Sequence, residues 1–218
     1  MRAAVLFSGG KDSGLAALLL EPFFDDIDLV TFSFGHDDAW RVAAAAAEEL
    51  GHPHRLILFE EEVLERALGI LRSTGYPNDA LNYLHPVAVE TLATEYEFVA
   101  DGTRRDDRAP VMSYSAVRSL EDRMHMHHLR PPAGLGGRAI RAMASRFLDF
   151  EEELSERYPA SDFEVGLRYA LSERHGPSEV KRIFPQNHTH TRVIRRKRFV
   201  QEAEGQEDQA CQGIQSES

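Results

Sequence analysis

The chain has 218 residues, 42% of them hydrophobic and 28% charged, which suits one α/β domain with a small appendage and is short for two full domains. Acidic residues outnumber basic ones by 36 to 25, and the formal net charge of −11 predicts a surface that repels nucleic acid unless basic residues gather locally.

Cys211 is the one cysteine, which excludes a disulfide, a zinc site of paired cysteines and a cysteine-ligated iron–sulfur cluster within one chain. No run approaches the ~20 apolar residues of a membrane span, and the N-terminus enters a strand without a signal peptide. We therefore expect a cytoplasmic protein with no membrane partner.

Strand and helix signals alternate through the first 150 residues. Short apolar, β-rich runs predict five strands, at residues 3–7, 28–34, 54–59, 98–102 and 124–129. Helical spacing and turn residues predict helices between them, at 15–20, 39–50, 60–73, 113–123 and 136–150, with two further short helices between 77 and 96 that divide near Pro86. This alternation predicts a doubly wound parallel sheet of the α/β class, in which ligands bind beyond the carboxyl ends of the strands, where the strand order reverses. In the order 3-2-1-4-5 that point lies between strands one and four.

The pattern weakens from Glu151 onward. A helix is expected over 162–174 and a last strand over 191–194. Residues 201–218 carry five acidic residues and no basic ones, which favours a disordered acidic tail. We therefore divide the chain into a main domain, 1–150, a small C-terminal appendage, 151–200, and the tail, 201–218.

A phosphate loop is predicted between the first strand and the first helix, where residues 8–13 read Ser-Gly-Gly-Lys-Asp-Ser. Glycines at such a turn allow a close backbone approach, and the N–H groups that open the helix attract an anion, most often phosphate. Lys11 adds a positive charge, and Ser8 and Ser13 offer hydroxyls to phosphate oxygens or to Mg²⁺. Asp12 suits either a metal-bound water or the helix cap.

The fourth strand ends in a second polar segment, residues 101–107. Gly102 allows the backbone to lie close to a nucleotide, while Asp106 and Asp107 are suitable Mg²⁺ ligands, directly or through water. Arg104 and Arg105 suit phosphate or substrate. A plain surface loop in which these charges neutralise one another is the alternative.

Residues 8–13 resemble the SGGKDS pyrophosphate loop of the N-type ATP pyrophosphatases, the PP-loop family, and Gly102 with Asp106 and Asp107 resembles that family's second signature. The resemblance covers about residues 2–150. It implies a Rossmann-like (HUP-type) fold, ATP and Mg²⁺ as cofactors, and cleavage of ATP between the α- and β-phosphates to give an adenylated intermediate and pyrophosphate. Within the family the chain is similar to small archaeal proteins described as tRNA-modification, thiouridylase-like subunits, which implies tRNA as a partner and a tRNA base as the group activated.

The residues predicted to form the site follow from the two motifs and this resemblance. The catalytic residues are Lys11, Asp12, Asp106 and Asp107, of which Asp106 and Asp107 are also the expected Mg²⁺ ligands. ATP is expected to contact the loop, the ends of strands two and four, and the residues that follow them: Ser8, Gly9, Gly10, Lys11, Asp12, Ser13, Phe34, Gly102 and Thr103. His36 or Asp37 is expected near the adenine pocket that the family builds at the end of strand two. Arg104, Arg105 and Arg130 are the expected substrate contacts.

Two other functions remain open beside tRNA-base activation. Several tRNA thiolases use cysteines to carry sulfur, and no cysteine occurs before Cys211, so a thiolation would need sulfur from a partner protein or a free source. The first alternative is amidation of a small molecule with ammonia from another subunit. The second is a nucleotide-binding regulatory protein without turnover. The oligomeric state is open.

Two further groups of residues have both a structural and a functional interpretation. His125, His127, His128, His188 and His190 are candidate zinc ligands, but no carboxylate is fixed by spacing to complete the set, which favours ordinary strand and loop histidines. His125 and His127 are expected to share one strand face. The basic run 195–198 suits RNA phosphate, the acidic tail or a solvated strand end equally.

Overall fold

The computed structural model describes residues 1–154, 161–185 and 189–197. Its main sheet has five strands: β1 Arg2–Leu6, β2 Asp26–Ser33, β3 His54–Leu58, β4 Phe98–Ala100 and β5 His127–Leu129. All neighbours pair in parallel, in the order β3-β2-β1-β4-β5, so the predicted α/β class and the predicted strand order are confirmed.

Eight helices are present in the described part of the chain: α1 Lys11–Leu20, α2 Trp40–Leu50, α3 Glu61–Thr74, α4 Pro77–Ala93, α5 Tyr114–Met124, α6 Gly137–Phe147, α7 Phe163–His175 and α8 Pro177–Ile183. None of these is long and apolar enough to cross a membrane. Apolar clusters lie on both faces of the sheet, because parallel strands joined through helices are covered on both sides. Val5, Leu15 and Leu29 belong to one cluster, and Ala4, Val30 and Val99 to another.

The segment 77–93 forms one helix, so the prediction of two short helices divided near Pro86 is wrong. Pro86 lies inside α4 and removes one helical N–H donor. Buried residues continue on both sides of it, with Ala80 and Leu84 before and Val89 and Leu92 after. Burial of this continuous stripe outweighs the local cost of the proline.

The predicted helix 136–150 ends at Phe147, and β6, Leu148–Leu154, follows directly. It pairs antiparallel with β7, Thr189–Arg196, in a second, two-stranded sheet. The last strand was therefore predicted, but its partner was missed. Buried and charged side chains alternate along β6, as expected of a strand with one covered face. Leu148 is buried, while Asp149 and Glu151 form ion pairs with basic residues of β7.

The second sheet packs on the main domain. Leu148 and Val193 belong to the same buried cluster as Val5 and Leu15. A Cβ on Gly14 of α1 would lie 3.2 Å from Val193 and 3.3 Å from Leu148. The division at residues 150 and 200 stays a prediction, and the tail 201–218 lies outside the described residues.

Candidate active site

The predicted phosphate loop connects β1 to α1. Gly9 has a φ of +77°, and a Cβ there would lie 3.0 Å from the Cα of Ala43, so this turn requires glycine. Among the described residues, no protein acceptor receives the N–H groups of Asp12 and Ser13, which are donors that a helix start leaves unpaired. The loop thus combines unpaired N–H groups with the positive end of the α1 dipole, the two features that favour an anion.

The end of β4 lies directly against the start of α1. A Cβ on Gly102 would lie 2.6 Å from the nitrogen of Ser13 and 2.8 Å from the carbonyl carbon of Asp12, distances that real Cβ atoms do not adopt. Since β1 pairs with β4, the strand order brings the two motif-bearing segments together. Gly102 is the residue that lets their backbones touch.

The second sheet also contacts the loop. The N–H of Lys11 donates to Thr191 Oγ1 at 3.1 Å, and the N–H of Val193 donates to the carbonyl of Gly9 at 2.8 Å. A Cβ on Gly10 would lie 3.3 Å from Thr191. Strand β7 therefore forms one wall of the loop, a role that the sequence did not indicate.

A network of charges surrounds the start of α1. Lys11 is 8% exposed, and its Nζ lies 3.2 Å from Asp12 Oδ1. Arg104 Nε lies 3.7 Å from Asp12 Oδ2 and donates to Asp107 Oδ1 at 2.9 Å. Burial opposes the charge of Arg104, but the hydrogen bond to Asp107 and the nearby carboxylates outweigh it and raise the pKa of Arg104. Asp12 Oδ1 is buried and accepts no hydrogen bond from the described residues.

Asp106 is turned toward α6. Its two carboxylate oxygens accept the N–H of Gly137, at 2.9 and 3.1 Å, and this hydrogen bond is the main reason that the pKa of Asp106 is lowered. Arg105 donates to the carbonyl of Gly134 at 3.5 Å, so the arginine also lies beside the segment that leads into α6. The roles of Asp106 as a Mg²⁺ ligand and of Arg105 as a substrate contact stay predictions.

Two cavities share the loop residues Ser8 and Asp12. The first, of about 190 Å³, is lined also by Ser13, Gly102 and Thr103, and its apolar wall includes Val30, Phe32 and Phe163. The second, of about 640 Å³, is lined by Lys11, Arg104, Arg138 and Arg141 together with Thr189, His190 and Thr191 of β7. Arg141 is paired with Glu152 and Arg104 with Asp107, whereas Arg138 makes no ion pair with another described residue. The first cavity is thus largely apolar, whereas the second is lined by charges of both signs, because Asp12, Glu152, Asp162 and Glu164 also line it.

Phe34 lies apart from the first cavity. Its ring packs on Phe59 with centroids 5.3 Å apart, and a Cβ on Gly166 of α7 would lie 2.6 Å from it. Phe34 and Asp37 line a smaller space under α7, while His36 stacks on Tyr169. Contact of Phe34 with ATP stays a prediction.

A cluster of which the sequence indicated only His128, as a candidate zinc ligand, lies behind the first cavity. Asp101 Oδ2 accepts hydrogen bonds from His85 Nε2 at 2.9 Å and from His128 Nε2 at 2.8 Å, while its Oδ1 accepts the N–H of Thr103 at 2.7 Å. The side chains of Asp101, His85 and His128 are at most 6% exposed. Burial opposes the charge of Asp101, but the hydrogen bonds from the two histidines outweigh it and keep the pKa of Asp101 well below its usual value. The sequence could not indicate the whole cluster, because His85 lies on α4, far along the chain from Asp101 and His128.

The histidines near β5 do not gather as the sequence suggested. The strand begins at His127, and His125 instead ends α5 with a φ of +52°, so these two residues do not share a strand face. The ring of His127 stacks on Phe98 with centroids 5.2 Å apart. His190 pairs with Asp162, and His188 lies outside the described residues.

Arg130 and the basic run are tied to the protein itself. Arg130 donates to the carbonyl of Met112 at 3.4 Å. Arg195 and Lys197 pair with Asp149, and Arg196 pairs with Glu21. Residue 198 lies outside the described residues. Each basic residue of the described part of the run thus forms an ion pair with another residue of the protein.

Comparisons with known proteins identify a family and several similar proteins. A family model described as "Family of unknown function (DUF7411)" matches residues 1–195. Uncharacterized protein MJ0690 of Methanocaldococcus jannaschii is 40% identical over 200 residues, which are 92% of this chain and 98% of that protein. A crystal structure from the same species, described as a predicted subunit of tRNA methyltransferase, matches with a TM-score of 0.82 and 38% identity over 92% of this chain and 100% of that chain. The 7-cyano-7-deazaguanine synthase of Staphylococcus saprophyticus is 40% identical over 58 residues, 26% of each chain.

Proposed function

Since this chain belongs to the family DUF7411, its activity is inferred from its own site, and we propose that it is an AMP- and pyrophosphate-forming adenylating enzyme of the PP-loop kind that activates a tRNA base. The observation that carries the proposal is the contact between Gly102 and the start of α1, which joins the two motif-bearing strand ends around one cavity. Ligands of open parallel sheets bind at this kind of position.

The loop supports binding of the phosphates. Lys11 and the unpaired N–H groups of the first turn of α1 supply positive charge at the start of the helix. The apolar wall of the first cavity, with Val30, Phe32 and Phe163, suits a planar base. ATP fits this combination because its two ends need these two environments.

Mg²⁺ fits the site best through Asp12. A hard divalent cation prefers carboxylate oxygens, and Asp12 Oδ1 is a buried carboxylate oxygen that accepts no hydrogen bond from the described residues, although Lys11 Nζ lies 3.2 Å away. Asp106 and Asp107 fit less well, because both oxygens of each already accept hydrogen bonds, from Gly137 and from Arg104 respectively. When bound, the ion would neutralise charge on the phosphates.

The residues of the chain act by positioning and by charge. An oxygen of the acceptor attacks the α-phosphorus, the bond from that phosphorus to the bridging oxygen breaks, and pyrophosphate leaves with the electron pair. Lys11 and the α1 amides stabilise the charge that develops on pyrophosphate. A sulfur or nitrogen nucleophile then displaces AMP, and because no cysteine occurs before Cys211, a sulfur donor has to come from outside this chain.

A tRNA base as the acceptor is supported by Arg138 and by the relatives. Arg138 makes no ion pair with another described residue and lines the same cavity as Lys11, so a phosphate of an anionic substrate such as RNA has a basic side chain to contact there. The similar crystal structure described as a predicted subunit of tRNA methyltransferase favours tRNA, and the partial match to a synthase favours an enzyme. Amidation of a small molecule with ammonia from another subunit is the alternative. A protein that binds ATP without turnover is the second alternative.

The test measures ATP binding calorimetrically and pyrophosphate release from ATP and Mg²⁺, with and without bulk tRNA. We expect release that depends on tRNA and falls at least about 100-fold in Lys11→Ala, since removal of one charge-stabilising donor costs about that much. Lys181→Ala is the matched control, because Lys181 is exposed on α8 and lines neither cavity.

Each other outcome identifies a rival. Release with ammonia and a small carboxylate, but not with tRNA, would indicate the amidating ligase. Tight ATP binding without release under any condition would indicate the regulatory protein. Equal release in Lys11→Ala and wild type would refute the role of the loop.

A further inference from the structure

We propose that His85, Asp101 and His128 form a binding site for a divalent first-row transition ion such as Zn²⁺, separate from the Mg²⁺ expected with ATP. The three residues come from three elements, α4, the end of β4 and β5, and their candidate ligand atoms lie within 4.8 Å of one another. Two imidazole nitrogens and one carboxylate oxygen form a donor set that binds zinc and its neighbours rather than Mg²⁺.

The distances are close to those of a coordination shell. Ligand bonds of about 2.0–2.2 Å in a tetrahedral arrangement separate two ligand atoms by roughly 3.3–3.5 Å. The nitrogens of His85 and His128 lie 2.9 and 2.8 Å from Asp101 Oδ2. These two separations therefore have to widen by only about half an ångström for the hydrogen-bonded cluster to become a metal site.

Charge and orientation favour the same occupant. The carboxylate of Asp101 is 4% exposed, and an uncompensated charge at such a depth costs several kcal/mol. A dication neutralises it, whereas the hydrogen bonds from two neutral imidazoles stabilise it without supplying a positive charge. The N–H of Thr103 holds the other oxygen of Asp101 at 2.7 Å, which is the outer-shell contact that fixes a ligating carboxylate.

The proposed metal site has an open coordination position, and one of its histidines lacks an outer-shell hydrogen bond within the described part of the chain. His85 and Asp101 line the first cavity, so a water or a substrate group there can complete the coordination. His128 Nδ1 has no hydrogen-bond partner among the described residues. Since the loss of an outer-shell partner typically weakens binding by about 10–100-fold, we expect a weaker site than one in which both histidines are supported.

A shared proton is the competing occupant of the cluster. A proton on one of the two imidazoles would also compensate the carboxylate. The two occupants are separated by metal binding itself, which is measured without ATP or tRNA, so the result does not depend on the proposed function.

The test titrates the metal-free full-length protein with Co²⁺ and follows visible ligand-field absorption, with Zn²⁺ displacement and metal content as second readouts. We expect one equivalent of Co²⁺, displaced by Zn²⁺ and accompanied by a rise in Tm, because an ion that binds only the folded state stabilises it. His85→Gln and Asp101→Asn should each lose the Co²⁺ spectrum. His127→Gln is the control, because His127 is exposed on the same strand as His128.

Three results would overturn the proposal. Folded wild-type protein that takes up no Co²⁺ would assign the cluster to a shared proton. An unchanged Co²⁺ spectrum in a folded His85→Gln or Asp101→Asn variant would place the ion elsewhere. Loss of the spectrum in Asp106→Asn but not in His85→Gln would assign it to the polar segment after β4. Because His85 lies at the cavity wall, its variant keeps the test decisive if Asp101→Asn fails to fold.

Discussion

The N–H of Lys11 donates to the hydroxyl of Thr191 at 3.1 Å and so joins the first residue of α1 to a strand 180 positions further along the chain. Val193, two residues later, donates to the carbonyl of Gly9. The same strand therefore holds the loop on both sides of Gly10. The Thr191 hydroxyl also takes up a donor that an anion at the helix start would otherwise receive.

Thr191→Val tests this contact. Valine keeps the shape of threonine but leaves the partly buried N–H of Lys11 without an acceptor, so the free energy of unfolding should fall by about 1–3 kcal/mol. ATP supplies a new acceptor, and its stabilising effect should therefore be larger in the variant than in wild type. Urea denaturation with and without ATP measures both effects. Thr191→Ser, which keeps the hydroxyl, should behave as wild type, and equal stability of the two variants would contradict the contact.

Gly102→Ala tests the close approach of β4 to α1. The added methyl group would lie 2.6 Å from the backbone nitrogen of Ser13, which cannot move aside. The free energy of unfolding should therefore fall by about 1–3 kcal/mol. ATP affinity should fall as well, since the two halves of the site are pushed apart. Calorimetry and urea denaturation measure the two effects.

Gly69→Ala is the matched control for that substitution. Gly69 lies inside α3, and a Cβ there meets nothing within 4 Å. Alanine is the better helix former by about 0.5–1 kcal/mol, so this variant should gain stability and keep its ATP affinity. Equal effects of the two substitutions would show that Gly102 has no special role.

The sheet and the loop could be predicted because their signals are local. The apolar runs of β1 and β2, and the glycine turn before Lys11, depend on residues that are neighbours in sequence. The strand order then placed Gly102 beside the loop without any knowledge of side-chain contacts. The two buried polar features of the site were not accessible in this way.

Thr191 and His85 show why the rest could not be predicted. The contact of Thr191 with Lys11 depends on the pairing of β7 with β6, and the sequence predicts a helix for residues 148–150 at the start of β6. His85 lies in the middle of α4, where its spacing resembles an ordinary buried position, and only the fold brings it to Asp101. The error at Pro86 has a similar origin, since the burial that keeps α4 continuous is tertiary.

Tyr96→Phe should affect stability without affecting the site. The Tyr96 hydroxyl donates to the buried carboxylate of Asp28 and accepts from Arg55 at 2.6 Å, near the amino ends of β2 and β4 and away from the loop. Removal of the hydroxyl deprives both Asp28 and Arg55 of a hydrogen bond, so the free energy of unfolding should fall by about 1–3 kcal/mol. Tyr76→Phe is the control, because Tyr76 is 64% exposed. A loss of ATP affinity in Tyr96→Phe would show that this end of the sheet is coupled to the site.

His190 should make the stability of the second sheet depend on pH. Its Nδ1 lies 2.8 Å from Asp162 Oδ2, at the start of α7. Burial and the charge of Arg168 oppose protonation of His190, but Asp162 and Glu164 outweigh them and raise its pKa above the usual 6.5. Since the folded-state pKa is the higher one, the stabilisation is fully present below about pH 6.5 and is lost as the pH rises through the folded-state value.

Stability should therefore fall with rising pH above 6.5 in wild type by more than in His190→Gln, which cannot be protonated. Urea denaturation between about pH 6 and 8.5 measures this difference, since histidine is the side chain whose charge changes in that range. His175→Gln is the control, because His175 is exposed at the end of α7 and should leave the pH dependence as in wild type. A slope in His190→Gln equal to that of wild type would mean that the ion pair with Asp162 does not stabilise β7. Because Thr191 is the next residue, weaker docking of β7 at high pH should also weaken the hold on the Lys11 N–H, and the effect of Thr191→Val should shrink accordingly.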